Sequence, residues 1–291
     1  MDRSNHLPGK LDGKPSMQVI RNITWRLIAL VFFVLLCYSL LPLFINSGEG
    51  FATLPLNTIF GSFTAIAIGF VVPSKLLKIP QTLNHEVGHA LAASLMGESV
   101  HLIRVEIDTS GVTYTMGKRS RFHSMFRSAG GPLASAAFFV FTAALISGNK
   151  AVLWILFALI ATILITVTTV RSIWGWVSAA IVIATLGQSL WASIQIGSDS
   201  IGNATFGIWS ASTWNIAILL SAYTCGIALR YSIACRKPWS ESQDEAKVGR
   251  ALGVHPTIGG HLILILNIVL IFAAITMILG WVNPWTPSPF V

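Results

Sequence analysis

Long apolar runs separated by short polar stretches dominate the chain. They fall at about 24–46, 52–74, 125–147, 151–170, 173–196, 208–234 and 261–282. Each reaches the ~20 residues that a helix needs to cross a hydrocarbon core of ~30 Å. The segment 80–97 is different. Pro80 suits a first helical turn and Gly97 a position just past the last one. At 1.5 Å per residue it would extend about 25 Å, marginal for a full crossing. Gly88, Ala90, Ala92 and Ala93 would let neighbouring helices pack closely. The pattern predicts a short intramembrane helix, re-entrant or steeply buried.

Residues 99–116 change to a period of two. Ile103, Val105 and Ile107 alternate with Leu102, Arg104, Glu106 and Asp108, and Val112, Tyr114 and Met116 alternate with Thr113 and Thr115. Thr109-Ser110-Gly111 supplies the turn, so a β-hairpin is expected. Residues 236–258 hold Arg236, Lys237, Glu241, Asp244, Glu245, Lys247 and Arg250 and read as a solvated loop. Residues 1–22 read as a disordered cytoplasmic tail. The expected fold is an α-helical polytopic membrane protein: about seven transmembrane helices, a short intramembrane helix and a small hairpin, forming a single domain over 23–291.

Composition agrees with a membrane protein. Of 291 residues, 54% are hydrophobic and 10% are charged, against roughly 25% charged in a soluble domain. The net charge of +8 suggests nucleic acid only until the basic residues are mapped. They cluster at the ends of apolar runs, as topology signals and anionic-lipid contacts do. No aromatic-interleaved basic patch remains, so no nucleic-acid partner is expected. Cys37, Cys225 and Cys235 are isolated and offer neither a disulfide framework nor a metal clip. With the N-terminus in the cytoplasm, and 80–97 not crossing, nearly all loop Lys and Arg fall inside, Lys150 excepted. A multi-pass protein of the cell membrane follows, with residues 80–97 opening toward the cytoplasm.

That short helix carries the chemistry. His85-Glu86-Val87-Gly88-His89 reads H-E-x-x-H. Positions i and i+4 share a helical face, so both imidazoles can ligate one zinc ion, with Glu86 beside them as general base. A catalytic zinc takes about three protein ligands and keeps one open position. For the third, Asp108, Asp199 and His261 remain alternatives, with Glu106 also near apolar structure. Asp199 closes the fifth run, on the far side from His85 in this topology. The hairpin could offer an edge strand to an extended peptide or could simply lie on the membrane surface.

The segment H-E-V-G-H-A-L-A-A-S-L-M-G at 85–97 resembles the first motif of site-2-type intramembrane metalloproteases, family M50, most closely the M50B-like branch. Gly111-Val112-Thr113 looks like that branch's hairpin turn. Ala129-Gly130-Gly131-Pro132-Leu133-Ala134-Ser135 resembles the glycine-rich opening of its next helix. Val170-Arg171-Ser172-Ile173-Trp174-Gly175 and Ser198-Asp199 followed by Trp209 and Trp214 are similar to later segments. The resemblance covers roughly 80–215. It implies zinc-dependent cleavage of a membrane-anchored protein substrate, with His85 and His89 as ligands, Glu86 as base and, by chain order, Asp199 as third ligand. Ser135 and Ser172 stand where asparagine is common, and no Leu-Asp-Gly motif follows the fourth run. Two other function classes remain open. One is a non-catalytic scaffold or binder built on the same fold, and the other is a metal-ion carrier.

Overall fold

The computed structural model describes residues 15–40, 56–72, 75–117, 120–147, 151–196, 208–237, 240 and 243–280. The apolar runs become helices α1 (Pro15–Leu40), α2 (Leu56–Val71), α4 (Arg121–Ser147), α5 (Ala151–Thr169), α6 (Ile173–Ile196), α7 (Ile208–Cys235) and α9 (Pro256–Ile278). Helix α3 (Lys75–Leu95) carries H-E-x-x-H, strands β1 (Ser99–Val105) and β2 (Gly111–Met116) form the hairpin, and α8 is Asp244–Leu252. Among the described residues, Gln18–Cys37, Ile218–Cys235 and Pro256–Ile278 are long and apolar enough to cross a bilayer. Thr58–Val71, Ile155–Thr169 and Ile173–Gly187 are shorter apolar helices. Leu27, Leu30, Phe60, Phe63, Ile265 and Phe272 lie exposed on α1, α2 and α9. In lipid such outward apolar side chains need no cover.

Three sequence expectations are corrected. Helix α1 starts at Pro15, so residues 15–22 of the expected tail are helical. Helix α3 starts five residues before the expected Pro80, which sits inside it. As the sixth residue of the helix it removes the bond to the carbonyl four residues back, and its ring crowds that carbonyl. The third correction is the largest. The linker 236–258 is not simply a solvated loop, because Asp244–Leu252 forms α8. Asp244 and Glu245 occupy its first turn, Arg250 its last, and Gly253 closes it with φ 74°. Acidic start, basic end and left-handed glycine all favour a helix of that length. Val248, Ala246 and Gly249 are buried as α8 packs on α4 and α9.

Helix α3 lies at the centre, against α1, α4, α6, α7 and both strands. Its two faces differ. Ile79, Leu83, Val87 and Leu91 join Trp25, Ile28, Val100, Ile103 and Ile165 in one apolar cluster. Gln81, Thr82, His85, Glu86 and His89 line a cleft instead. A second apolar cluster, including Phe139, Val140, Ile218, Ala222 and Met277, joins α2, α4, α7 and α9.

The contact between α3 and α4 has almost no side chain in it. A Cβ on Gly130 would lie 2.5 Å from the Gly88 carbonyl and 2.7 Å from the Ala92 methyl. One on Gly88 would run into the Gly130 carbonyl and lie 2.5 Å from the Ala134 methyl. Each helix thus presents a small residue, three others, and a second small residue to its partner. Such surfaces drive helix association in lipid, where apolar burial supplies little driving force.

Gly88→Val should therefore destabilise the protein by at least about 2 kcal/mol, the scale of an overpacked contact that cannot relax. Gly187→Ala is the control, since its added methyl meets nothing within 4 Å. The check is the thermal unfolding midpoint in detergent, which should fall for Gly88→Val and hold or rise for Gly187→Ala.

Candidate metal centre

His85 and His89 are one turn apart on α3, and their rings meet edge to face at 4.7 Å between centroids. The first residue of α8, Asp244, reaches them from 155 positions further along the chain. Its Oδ2 lies 3.0 Å from His89 Nε2 and 3.3 Å from His85 Nε2, and the two Nε2 atoms are 3.1 Å apart. Among the described residues this is the one cluster of three such side chains able to hold a metal ion. Ligand bonds of 2.0–2.1 Å at tetrahedral angles leave donor atoms about 3.3 Å apart. The three atoms have the spacing of one face of such a site.

The donor chemistry points the same way. His89 Nδ1 lies 2.7 Å from the Arg127 carbonyl, so it carries the proton and donates it there. In the neutral ring, Nε2 then presents a lone pair to the Asp244 carboxylate and to the His85 nitrogen. Lone pairs converging at 3.0–3.1 Å repel unless a cation lies between them. Were the two imidazoles protonated instead, burial would push the Asp244 carboxyl up, but their hydrogen bonds and charge would outweigh it and hold it well below the usual carboxylate range. Lys247 Nζ, 3.0 Å from Asp244 Oδ1, occupies the outer oxygen and leaves Oδ2 to the histidines. Neighbouring Glu245 is also buried, and desolvation pushes its carboxyl up.

Two glycines make room. A Cβ on Gly131 of α4 would strike the His89 ring and lie 2.8 Å from His85 Nε2. A Cβ on Gly111 would lie 2.5 Å from Glu86 Oε1. Gly111 was expected in the turn. It is instead the first residue of β2, paired with Val105, and lets the strand pass over the glutamate. The turn itself is held by Asp108 Oδ1, which accepts from the Ser110 backbone NH at 2.9 Å and hydroxyl at 2.6 Å.

On β2 the side chains alternate as expected, half-buried then exposed. The half-buried set faces α3: Thr113 donates to Glu86 and Thr115 donates to Glu98 at 2.8 Å. Glu86 is 5% exposed and Glu98 3%. Arg127 pairs with Glu98 at 3.2 Å and donates to Thr115 at 3.0 Å. Its carbonyl is the group that orients His89, so hairpin, α3 and α4 meet in one polar network.

The outer edge of β1 is taken. Ile103 bridges Val170, the Arg171 NH donates to the Ile103 carbonyl at 3.1 Å, and the Val105 NH donates to Ser172 Oγ at 2.9 Å. Residues Gly111–Thr115 of β2, by contrast, line a cleft of about 840 Å³ together with His85, Glu86, His89 and Asp244.

The sequence alternatives for the third ligand fare differently. Asp199 lies outside the described residues. Asp108 caps its own turn, Glu106 pairs with Arg104 at 3.8 Å in an exposed position, and His261 Nδ1 bonds the Thr257 carbonyl of its own helix. In the sequence Asp244 stands in a polar stretch that reads as a loop. Its signal was the Asp-Glu pair opening nine helix-compatible residues closed by glycine.

Asp244→Ala should lower metal affinity by at least about 100-fold, beyond the 10–100-fold that outer partners cost. Asp108→Ala, Asp199→Ala and His261→Ala should retain metal. Metal content of the purified protein, measured after dialysis against a weak chelator, is the check. Retention in Asp244→Ala with loss in Asp199→Ala would reverse the assignment.

Comparison with known families gives one result. The profile described as Peptidase M50B-like matches residues 58–274, from α2 into α9, and so includes H-E-x-x-H, the hairpin and Asp244. No curated protein and no solved structure gave a match. The match extends beyond the 80–215 expected from the motifs and covers most of the chain, so the chain belongs to the Peptidase M50B-like family.

Proposed function

We propose that the chain is a membrane-embedded zinc metalloprotease of site-2 type, hydrolysing a peptide bond in or near a membrane-spanning segment of a membrane-anchored protein. The observation that carries this reading is the convergence of His85, His89 and Asp244 within 3.3 Å of one another, beside the Glu86 carboxylate. His85 Nε2, His89 Nε2 and Asp244 Oδ2 would hold the ion. Asp244 replaces Asp199 in this assignment. Zinc in that position supplies a Lewis acid that polarises the scissile carbonyl and makes a water acidic near neutral pH.

The chain's own residues do the rest. Glu86 takes the proton from the attacking water as its oxygen bonds to the carbonyl carbon. The same carboxyl then gives that proton to the departing amide nitrogen as the C–N bond breaks, leaving one acid and one amine. The outer edge of β2, which no strand covers among the described residues, can take an extended peptide as a third strand, which would lead it along the cleft past Glu86. Val112 and Tyr114, 45% and 38% exposed, offer apolar contacts along that strand. A transmembrane helix has all its backbone bonds satisfied internally, so a substrate must unwind locally before it can pair this way.

The proposal includes seven crossings, by α1, α2, α4, α5, α6, α7 and α9, in the cell membrane. α3 is held within the bilayer, and the cleft opens toward the cytoplasm. The distribution of Lys and Arg supports that orientation.

Glu86→Gln should keep about one zinc per chain and lower cleavage of a co-expressed membrane-anchored substrate by at least about 100-fold, the scale of a lost general base. Immunoblotting for the cut fragment and metal analysis of the same preparation read both. Undiminished cleavage would sink the protease mechanism. Wild-type protein that never holds zinc would leave the scaffold reading in its place.

A further inference from the structure

The proposed base is gripped twice by one hydroxyl. Thr113 Oγ1 lies 2.6 Å from Glu86 Oε2 and 2.9 Å from the Glu86 carbonyl. Having one proton, it donates to one oxygen at a time, and the shorter contact is to the charged carboxylate, the stronger acceptor. On the other side of the same carboxylate, Oε1 packs against Gly111, where a methyl would fit only 2.5 Å away. The turn before the strand also meets α3 one turn earlier, where Thr82 Oγ1 lies 3.1 Å from the Thr109 carbonyl and 3.1 Å from the Lys78 carbonyl of its own helix. Glu86 makes no ion pair among the described residues. Its rotamer is therefore set by β2, not by its own helix.

We propose that Thr113 is the positioning residue of the site. Its hydroxyl holds the Glu86 carboxylate in the orientation that proton transfer needs, so that the strand available to substrate also aims the base. This rests on the protease reading for its catalytic consequence, but not for the hydrogen bond itself. A strand added along β2 would bond to the backbone of the residues that carry Thr113 and Gly111. Substrate pairing and base orientation are thus properties of a single segment of five residues, Gly111–Thr115. A base misaligned by a lost outer partner costs rate more than binding, since the peptide contacts along β2 remain.

The test compares Thr113→Val, which keeps the shape and removes the hydroxyl, with Thr113→Ser, which keeps the hydroxyl. In Thr113→Val, kcat on a membrane-anchored substrate in nanodiscs should fall about 10- to 100-fold, with KM within about twofold and zinc content unchanged. Thr113→Ser should stay within about threefold of wild type. Should Thr113→Val not fold, Thr113→Ala replaces it with the same expectations. A second readout needs no turnover. The infrared difference between wild type and Glu86→Gln isolates the Glu86 carboxylate stretch, which should move in Thr113→Val and return in Thr113→Ser. An unchanged kcat in Thr113→Val, equal losses in the Val and Ser variants, or a rise in KM without loss of kcat would each overturn the proposal. If wild type and Glu86→Gln cleave alike, the protease reading fails. The infrared comparison then decides the positioning role alone, and an unmoved band rejects it.

Discussion

The backbone approach of α3 to α4 at Gly88 and Gly130 fixes nearly everything polar in this protein. Two helices that touch main chain to main chain cannot rotate or slide without a clash, because no flexible side chain lies between them. That contact places Gly131 one residue further along α4, opposite the imidazoles of His85 and His89. It also places Arg127 one turn before Gly130, where its carbonyl receives the His89 proton and its guanidinium reaches Glu98. A substitution that moved the helices apart by the width of a methyl would disturb ligand orientation and ligand room together.

From this crossing the site is completed by two segments that share no sequence neighbourhood with it. Strand β2 reaches Glu86 through Thr113, and α8 reaches the histidines through Asp244, 155 residues after His89. The division has a physical basis. Two ligands one turn apart come from a helix at no cost in chain entropy, because the helix holds them on one face. A third must come from elsewhere, and a short helix packed on α4 and α9 is a rigid way to deliver it. Asp244 is placed by the packing of Ala246, Val248 and Gly249 beneath it, so the candidate metal centre depends on the docking of the α8–α9 corner. Any ion held there gains affinity from that docking and returns it as stability.

The local parts of this design were legible in the sequence and the non-local part was not. Each long apolar run became a helix, and the hairpin appeared where the period changed from 3.6 to two. His85, Glu86 and His89 fall together on the cleft face of α3, because i, i+4 spacing needs no tertiary information. Asp244 needed it. Chain order alone points to Asp199, which lies outside the described residues, whereas the carboxylate seen to meet the histidines lies one helix later. What glycine does locally predicts Gly111 in a turn and Gly88 at a close helix contact. Gly88 does pack, but Gly111 is glycine because a glutamate lies under it, a reason invisible without the fold.

Helix α3 also separates two environments of opposite character. Its Leu83, Val87 and Leu91 face an apolar cavity of about 180 Å³ shared with Phe138, Ile155 and Ile165. Its other face carries one acid, Glu86, and two imidazoles into a cleft of about 840 Å³. Buried carboxylates are costly in any low-dielectric setting unless every oxygen has a donor or a charge. The hairpin and α4 meet that demand at one oxygen of each acid: Thr113 serves Glu86 Oε2, and Thr115 with Arg127 serves Glu98 Oε2. A helix in the same position would have presented its side chains but kept its backbone bonds to itself. A strand can reach both acids with alternate hydroxyls on one face and still present a backbone edge that, among the described residues, no strand covers. Among the described residues, the two-stranded sheet is the element that brings a hydroxyl to each of these two buried acids.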